Sequence, residues 1–231
     1  MAVPYFFVDA IEGSSVQLDE ATSKHVVSVL RMERGEELLL TDGKGLKAKA
    51  VISDDNRKRC VVTIGERQHE AVLSPRVTIG ISLVKNAARF EWFLEKATEI
   101  GVTEILPLLC ARTEKEKFRA DRLQGILQSA MLQSQQCWLP VLHEPVAFAD
   151  ALRSDADQRF IAHCEEGNKV DLATQLRPGK SRLLLIGPEG DFAPAEIEAA
   201  LTAGFLPATL GATRLRTETA GMVGAVLLRN L

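Results

Sequence analysis

Two segments near the C-terminus of this chain share one grammar, and they restrict its architecture more than any other feature. Leu183-Leu184-Leu185-Ile186 is an apolar run that opens into Gly187-Pro188-Glu189-Gly190-Asp191-Phe192. Further on, Pro207-Ala208-Thr209-Leu210-Gly211 leads through Ala212-Thr213-Arg214-Leu215 into Arg216-Thr217-Glu218-Thr219-Ala220. Each reads as a buried strand, a glycine-containing polar loop and the start of a helix. Strands followed by helices lie parallel, because a parallel neighbour can be reached only by a crossover. Loops of two such units leave the sheet at the carboxyl ends of their strands, where open α/β sheets hold ligands. Neither loop fits G-x-G-x-x-G or G-x-x-x-x-G-K-[ST], so the expected crevice is not a common nucleotide site.

The period of the apolar residues changes at Ser74-Pro75. Before it, short strands are predicted at Tyr5–Val8, Ser15–Leu18, Glu37–Thr41, Leu46–Ser53 and Cys60–Glu66, with Asp42-Gly43-Lys44-Gly45 as a turn. One helical stretch, Asp19 to Met32, is expected to turn Ala21, Val26, Val29 and Leu30 inward. Strands with one helix suggest a small barrel over residues 1–72. Beyond the boundary, over 75–231, strands alternate with helices. Val77–Val84, an amphipathic helix Ala88–Ile100 stopped by Gly101, and Val102–Cys110 form a β-α-β unit. A long helix is predicted over Arg119–Cys137, and strands at Gln158–Cys164, Arg182–Ile186 and Pro207–Gly211. Pro194 and Gly204 bracket a helix, and the last helix begins near Glu218. The fold class is α/β, with a mainly parallel sheet of about five or six strands.

Composition excludes several classes. No apolar run approaches the roughly 20 residues of a membrane span. The N-terminus lacks a basic region and reaches Asp9 early, so no secretory signal is expected and the location is cytoplasmic. Cys60, Cys110, Cys137 and Cys164 have no C-x-x-C spacing, which suits reduced thiols and no metal. Net charge is −3; the part up to Ser74 has 10 Lys+Arg against 12 Asp+Glu. Any RNA surface is therefore a local patch, such as Arg57-Lys58-Arg59 with Lys44, Lys47 and Lys49; the alternative is a solvated hairpin face.

G-P-E-G-[GD]-F after an apolar strand, then L-G-x-x-x-L-R-T-E-T-A at the start of the last helix, resembles the SPOUT methyltransferases. It resembles most closely the RsmE family, the 16S rRNA (uracil-N3) methyltransferases. His25-Val26-Val27-Ser28-Val29-Leu30-Arg31-Met32 with Asp42-Gly43 is similar to the family's H-x-x-x-V-L-R-M…D-G pattern, and Lys96 to Val102 to its K-x-x-E-x-G-V helix end. The resemblance implies a PUA-like RNA-binding barrel followed by a SPOUT domain with a C-terminal trefoil knot. It implies S-adenosylmethionine (AdoMet) as cofactor, 16S rRNA or the 30S subunit as partner, a homodimer, and no membrane or metal. Carried over by motif, the cofactor residues are Ile186, Gly187, Glu189, Gly190, Leu210, Gly211, Leu215, Arg216 and Thr217, with His163 on a third wall. His25, Arg31, Arg57, Lys58, Arg59, Gln133 and Gln136 are the RNA-binding candidates. Two rivals remain at this point: a SPOUT ribose 2′-O-methyltransferase, and a catalytically silent RNA-binding assembly factor.

The chemistry needs little from side chains. Uracil N3 has no useful lone pair until its proton leaves, so a donor aimed at O2 or O4 must stabilise the anion. Arg216 is the candidate. Glu189 and Glu218 are the motif carboxylates that could accept the proton, and each also has a purely structural reading. Thr217 is expected to cap the last helix, and Glu218 to complement its positive end. The chain departs from its relatives where many carry A-x-E-Q-x-G-R. Here Leu132 replaces the acid, Gln135 the glycine and Gln136 the arginine, while Gln133 is retained. Asp191 stands where many carry glycine. Trp92 lies off the apolar stripe of its helix, for base stacking or for packing.

Overall fold

The computed structural model describes residues 3–114 and 118–231, in two compact units. The first comprises Met1–Val72 together with Met131–Leu139. Its strands are β1 (Tyr5–Phe7), β2 (Ser15–Gln17), β3 (Glu37–Thr41), β4 (Leu46–Asp54) and β5 (Val61–His69), in the order β1-β3-β4-β5-β2. Only the β1–β3 pair is parallel. The hydrogen-bonded path has two ends, β1 and β2, so it does not close into a full barrel. Ala48, Ala50 and Ile52 of β4 are buried while Lys49 and Val51 are exposed, the alternation a one-sided sheet requires. They meet Leu18, Val26, Leu38, Leu40, Cys60 and Val62 in one core.

The Asp42–Gly45 turn does more than reverse the chain. Asp42 Oδ1 accepts from the amides of Lys44 (2.8 Å) and Leu46 (3.2 Å). The turn then receives the 131–139 segment: the Gly45 amide donates to the Cys137 carbonyl (2.9 Å), and the Leu139 amide to the Gly43 carbonyl (2.8 Å). Trp138 lies so close over Gly45 that a Cβ there would come within 2.3 Å of its ring. Glycine at 45 is thus fixed by φ +93° and by this approach.

The helix expected over Asp19–Met32 is broken. α1 (Glu20–Lys24) is capped by Asp19, whose carboxylate accepts from the Thr22 amide, and it passes into a π-helical turn, His25–Val29. The Leu30 amide reaches back five residues to the His25 carbonyl, and Arg31 closes the turn at φ +57°. One extra residue per turn rotates everything beyond it. Val26 stays buried, but Val29 and Leu30 point outward, 62% and 43% exposed, and Ala21, ahead of the π turn, is exposed as well.

The second unit, Leu73–Ala130 with Pro140–Leu231, holds β6 (Val77–Ser82), α2 (Ala87–Ile100), β7 (Glu104–Leu109), α3 (Ala120–Gln133, its last turn falling in the first unit), β8 (Val141–Leu142), β9 (Val146–Ala147) and α4 (Phe148–Ala151). It continues with β10 (Gln158–Ala162), β11 (Val170–Asp171), α5 (Leu172–Gln175), β12 (Arg182–Ile186), α6 (Pro194–Thr202), β13 (Leu206–Thr209) and α7 (Thr217–Asn230). The strands form one all-parallel sheet, β11-β13-β10-β12-β6-β7-β8, with β9 also beside β7. Its excess over five or six strands comes from two-residue pieces, too short to leave a periodic signal. β6 and β12 are buried throughout, as central parallel strands must be. α2 buries Phe90, Phe93, Leu94 and Ala97 and ends on Gly101 in the left-handed conformation. α7 lies close: a Cβ at Gly221 would fall 2.6 Å from the Phe93 ring, and one at Gly224 2.4 Å from Leu184. Buried Arg182 donates to the carbonyls of Leu228 and Arg177, holding a cation at the C-terminal end of α7.

Candidate functional site

The strand order places β13, β10 and β12 side by side, with Ala162 in register with both Ala208 and Ile186. Their carboxyl ends form the floor of a cleft of about 710 Å³. The loop after β12 makes one wall, the loop after β13 a second, and the exit of β10 a third. This is the crevice expected from the paired strand-loop-helix units.

Three contacts from distant segments fix the loop after β12. The Thr217 hydroxyl donates to the Gly187 carbonyl at 3.0 Å, tying one loop to the other. Arg112 donates to the carbonyls of Gly190 (2.7 Å) and Phe192 (3.3 Å). Asp191 adopts φ +63°, a conformation that favours glycine, and its carboxylate accepts from the amides of Cys164 (2.8 Å) and Phe192 (2.9 Å). The aspartate that stands in place of glycine thus latches the loop after β12 to the exit of β10. Charge-assisted bonds to backbone amides offset the cost of the left-handed backbone, about 1 kcal/mol or more.

His163, Ile186, Gly187, Glu189, Leu210, Gly211, Leu215, Arg216 and Thr217 all line the cleft. Gly190 does not. Its carbonyl is engaged by Arg112, and a Cβ on it would meet that arginine at 3.5 Å rather than a ligand. Glu218 does not line it either. It is 7% exposed in the first turn of α7, with Oε1 3.7 Å from Arg89 Nε and Oε2 buried without a hydrogen-bond partner. Thr217 is not the cap of α7: Arg216 occupies that position without a side-chain bond, and Thr217 is the first helical residue, its hydroxyl turned to Gly187. The capping expectation failed because a long-range acceptor outcompeted the local amide.

Four basic side chains line the cleft among the described residues, Arg89, Lys169, Arg214 and Arg216, against Glu189 and Asp191. Arg214 and Arg216 are exposed on the loop after β13. Burial holds the His163 imidazole below the usual histidine range, and Lys169, whose ammonium donates to the His163 carbonyl at 2.9 Å, adds to the shift. Both ring nitrogens are buried without a partner, so the ring is neutral near pH 7.

All seven RNA-binding candidates fall in the other unit. His25 is exposed at the start of the π turn, edge-on to Phe6, and Arg31 is exposed at its end. Arg57, Lys58 and Arg59 are exposed in the connection between β4 and β5. Gln133 is exposed at the end of α3. Gln136 is half-buried, donating to Ser134 Oγ at 2.9 Å, while its carbonyl accepts from the Tyr5 hydroxyl. Gln135, in the relatives' glycine position, has φ +58°.

Sequence reading missed Arg89, Lys169 and Arg112. Arg112 follows the end of β7 and Arg89 lies in the first turn after β6, so both stand at carboxyl ends of sheet strands. Treating every strand exit as part of the crevice, rather than the two motif loops alone, would have found them.

Comparison with known proteins gives a consistent picture. Residues 72–229 match the family model of the RNA methyltransferase domain, and residues 18–65 that of the RNA methyltransferase PUA domain. The chain is 32% identical over 244 residues to the ribosomal RNA small subunit methyltransferase E of Mycobacterium bovis, covering 98% of this chain and 92% of that protein. Its fold is similar to the crystal structure of a probable rRNA-methyltransferase from Porphyromonas gingivalis, with a TM-score of 0.92 at 38% identity over 96% and 95% of the two chains. It is also similar to the ribosomal RNA small subunit methyltransferase E of Neisseria gonorrhoeae bound to S-adenosyl methionine, with a TM-score of 0.86 at 27% identity over 99% and 97%.

Proposed function

Because this chain belongs to the ribosomal RNA small subunit methyltransferase E family, we propose that it transfers a methyl group to N3 of one specific uridine in 16S rRNA. That it is an AdoMet-dependent rRNA methyltransferase follows from the family and its cofactor-bound member. The atom and the base are the finer reading. The observation that carries it is the cleft at the ends of β13, β10 and β12, where both motif loops converge.

The cleft fits the cofactor. Ile186, Leu210 and Leu215 offer apolar surface to a planar heteroaromatic ring. Gly211, at φ +134° with nothing within 4 Å of a Cβ, leaves its backbone open to a ligand. Bound there, AdoMet supplies an electrophilic methyl on a sulfonium that departs as a neutral thioether. The protein's part is to hold the target base in line, exclude water and stabilise the base once its N3 proton is gone. Arg216 is the residue we assign to that charge, because it is exposed on the cleft and its guanidinium has no partner among the described residues. Glu189 lines the cleft and is the available proton acceptor; Glu218, turned behind it, serves position rather than proton transfer.

The first unit is the RNA-holding module in this reading, with Arg57, Lys58, Arg59, His25 and Arg31 among its exposed candidates. The reading includes a trefoil knot around α7, which the family resemblance implies, and a homodimer, supported by Trp92 of α2 and Val226 of α7, 39% and 41% exposed. A cytoplasmic site of action accords with an rRNA substrate, and no helix among the described residues is long and apolar enough to cross a membrane.

Mass spectrometry of 16S rRNA nucleosides from a deletion strain tests the proposal. N3-methyluridine should disappear and return with the wild-type gene. Loss of a ribose 2′-O-methyl mark instead would overturn the base assignment.

A further inference from the structure

Arg89 belongs to neither motif loop. It stands in the first turn of α2 and lines the cleft. Its Nε lies 3.7 Å from Glu218 Oε1, across from the first turn of α7. Glu218 is nearly buried, and its second oxygen has no partner. A carboxylate removed from water with one oxygen unmatched is unfavourable by itself. What it gains here is one cation, fixed at the edge of the cleft. The Arg89 side chain makes no other hydrogen bond or ion pair among the described residues, so the remaining N–H groups of its guanidinium are uncommitted there. A guanidinium paired on its Nε side, with its remaining donors uncommitted among the described residues, is suited to a planar oxygen acceptor that carries negative charge.

The base in the proposed reaction supplies such an acceptor. Uracil N3 lies between two carbonyl groups. When the N3–H bond breaks, the proton goes to solvent or a nearby base, the electron pair stays on N3, and the charge spreads onto O2 and O4. We propose that Arg89, held by Glu218, is a further catalytic residue: it donates to one of these carbonyl oxygens and stabilises the N3 anion, with Glu218 as its positioning residue. This rests on the N3-uridine reading above. The other charged groups on the cleft are Lys169 beyond β10, Glu189 and Asp191 on the loop after β12, and Arg214 and Arg216 on the loop after β13. Asp191 is already engaged with two amides, and Lys169 with the His163 carbonyl. Among the described residues, Arg89 is the one arginine of the cleft that faces a carboxylate, and this ion pair at 3.7 Å draws its guanidinium toward the first turn of α7.

The test is single-turnover methylation of 30S subunits, with enzyme in excess, across neutral and alkaline pH. Arg89→Ala should lower the rate by roughly 10²–10³, the usual effect of losing one preorganised donor to a developing oxyanion. Its rate should go on rising with pH where the wild type has levelled off. Arg89→Lys should recover part of the rate, and Glu218→Gln should show a smaller loss with the same change in pH profile. A substrate with 5-fluorouridine at the target, whose N3 proton is more acidic, should restore most of the rate to Arg89→Ala. Calorimetry supplies the readout apart from turnover. AdoMet affinity should stay close to wild type, and the preference for 5-fluorouridine RNA over uridine RNA at alkaline pH should vanish in Arg89→Ala. A loss of AdoMet affinity matching the rate loss would assign Arg89 to the cofactor and overturn the proposal. A uniform rate loss with an unchanged pH profile would make it structural. If Arg89→Ala does not fold, the pH profile of Arg89→Lys decides alone. A wild-type product other than N3-methyluridine would remove the underlying reading, whereas N3-methyluridine made at full rate by Arg89→Ala would remove only this inference.

Discussion

The two loops that meet over the cleft look alike in sequence and differ in how they are held. The loop after β12 buries Gly187 and Pro188 and is tied by Thr217, Arg112 and the Asp191 carboxylate to three separate segments. The loop after β13 exposes Gly211 to Arg214 and Arg216; its side-chain bonds are local, with the Thr209 hydroxyl donating to the Gly211 carbonyl at 2.8 Å. One wall is built before any ligand arrives. The other carries Arg214 and Arg216, exposed and without a side-chain partner among the described residues. A site that must admit both a small cofactor and a nucleotide of a large RNA gains from this division: the fixed wall supplies geometry, and the open wall supplies access and charge.

The contrast can be broken most strongly at Arg216. On the open wall, Arg216→Ala should lower single-turnover methyl transfer by roughly 10²–10³ while stability moves by no more than about 0.5 kcal/mol. A near-wild-type rate with intact folding would demote this arginine and leave charge stabilisation to Arg89. On the fixed wall the expected effect is on stability. Thr217→Val removes the donor to the Gly187 carbonyl and leaves it buried and unpaired, which should cost about 1–3 kcal/mol by urea unfolding. An unchanged midpoint would mean that this wall does not depend on its tie to α7.

Substitution by glycine at Asp191 and Gln135, two of the three left-handed non-glycine positions among the described residues, sharpens the comparison further, because the signs should be opposite. Asp191→Gly relieves backbone strain but loses two charge-assisted bonds, so it should destabilise, by about 1 kcal/mol. Gln135→Gly relieves the same strain at an exposed side chain with no side-chain hydrogen bond among those described, and should stabilise by about 0.5–1 kcal/mol. Equal signs in thermal or chemical melts would refute the latch assigned to Asp191.

The smallest expected effect is at His163. Its folded-state pKa lies below its unfolded value near 6.5, so the unfolded chain takes up the proton first as pH falls. Stability should therefore be complete above the ordinary histidine range and decline as pH drops through it toward the lower native value. His163→Gln should flatten that part of the stability–pH curve. A curve of the same slope in the variant would place the proton uptake elsewhere.

Much of this was legible in the sequence because it rests on local rules. Gly101 at the end of α2, Pro194 and Gly204 around α6, the alternation along β4, and the two strand-loop-helix units each report backbone geometry within a few residues. The departures have a common cause. The π turn at His25–Val29 keeps an apolar pattern that reads as an ordinary helix, and only its hydrogen bonds reveal that Val29 and Leu30 face outward. The 131–139 segment was grouped by position with the second unit, yet it pairs with the Asp42–Gly45 turn, a contact that no periodicity encodes.

The sequence by itself determined the order of the longer strands and helices, the parallel sheet and the pair of loops that make the cleft, since propensity and periodicity are properties of neighbouring residues. The tertiary structure alone decided which side chains of those loops face a ligand. Gly190 is turned to Arg112, Glu218 is set behind Arg89, Thr217 is drawn to Gly187, and Arg89 is brought in from another helix. A polar side chain in a loop points toward whichever partner best satisfies it once water is excluded, and those partners lie 30 to 129 residues away in the chain.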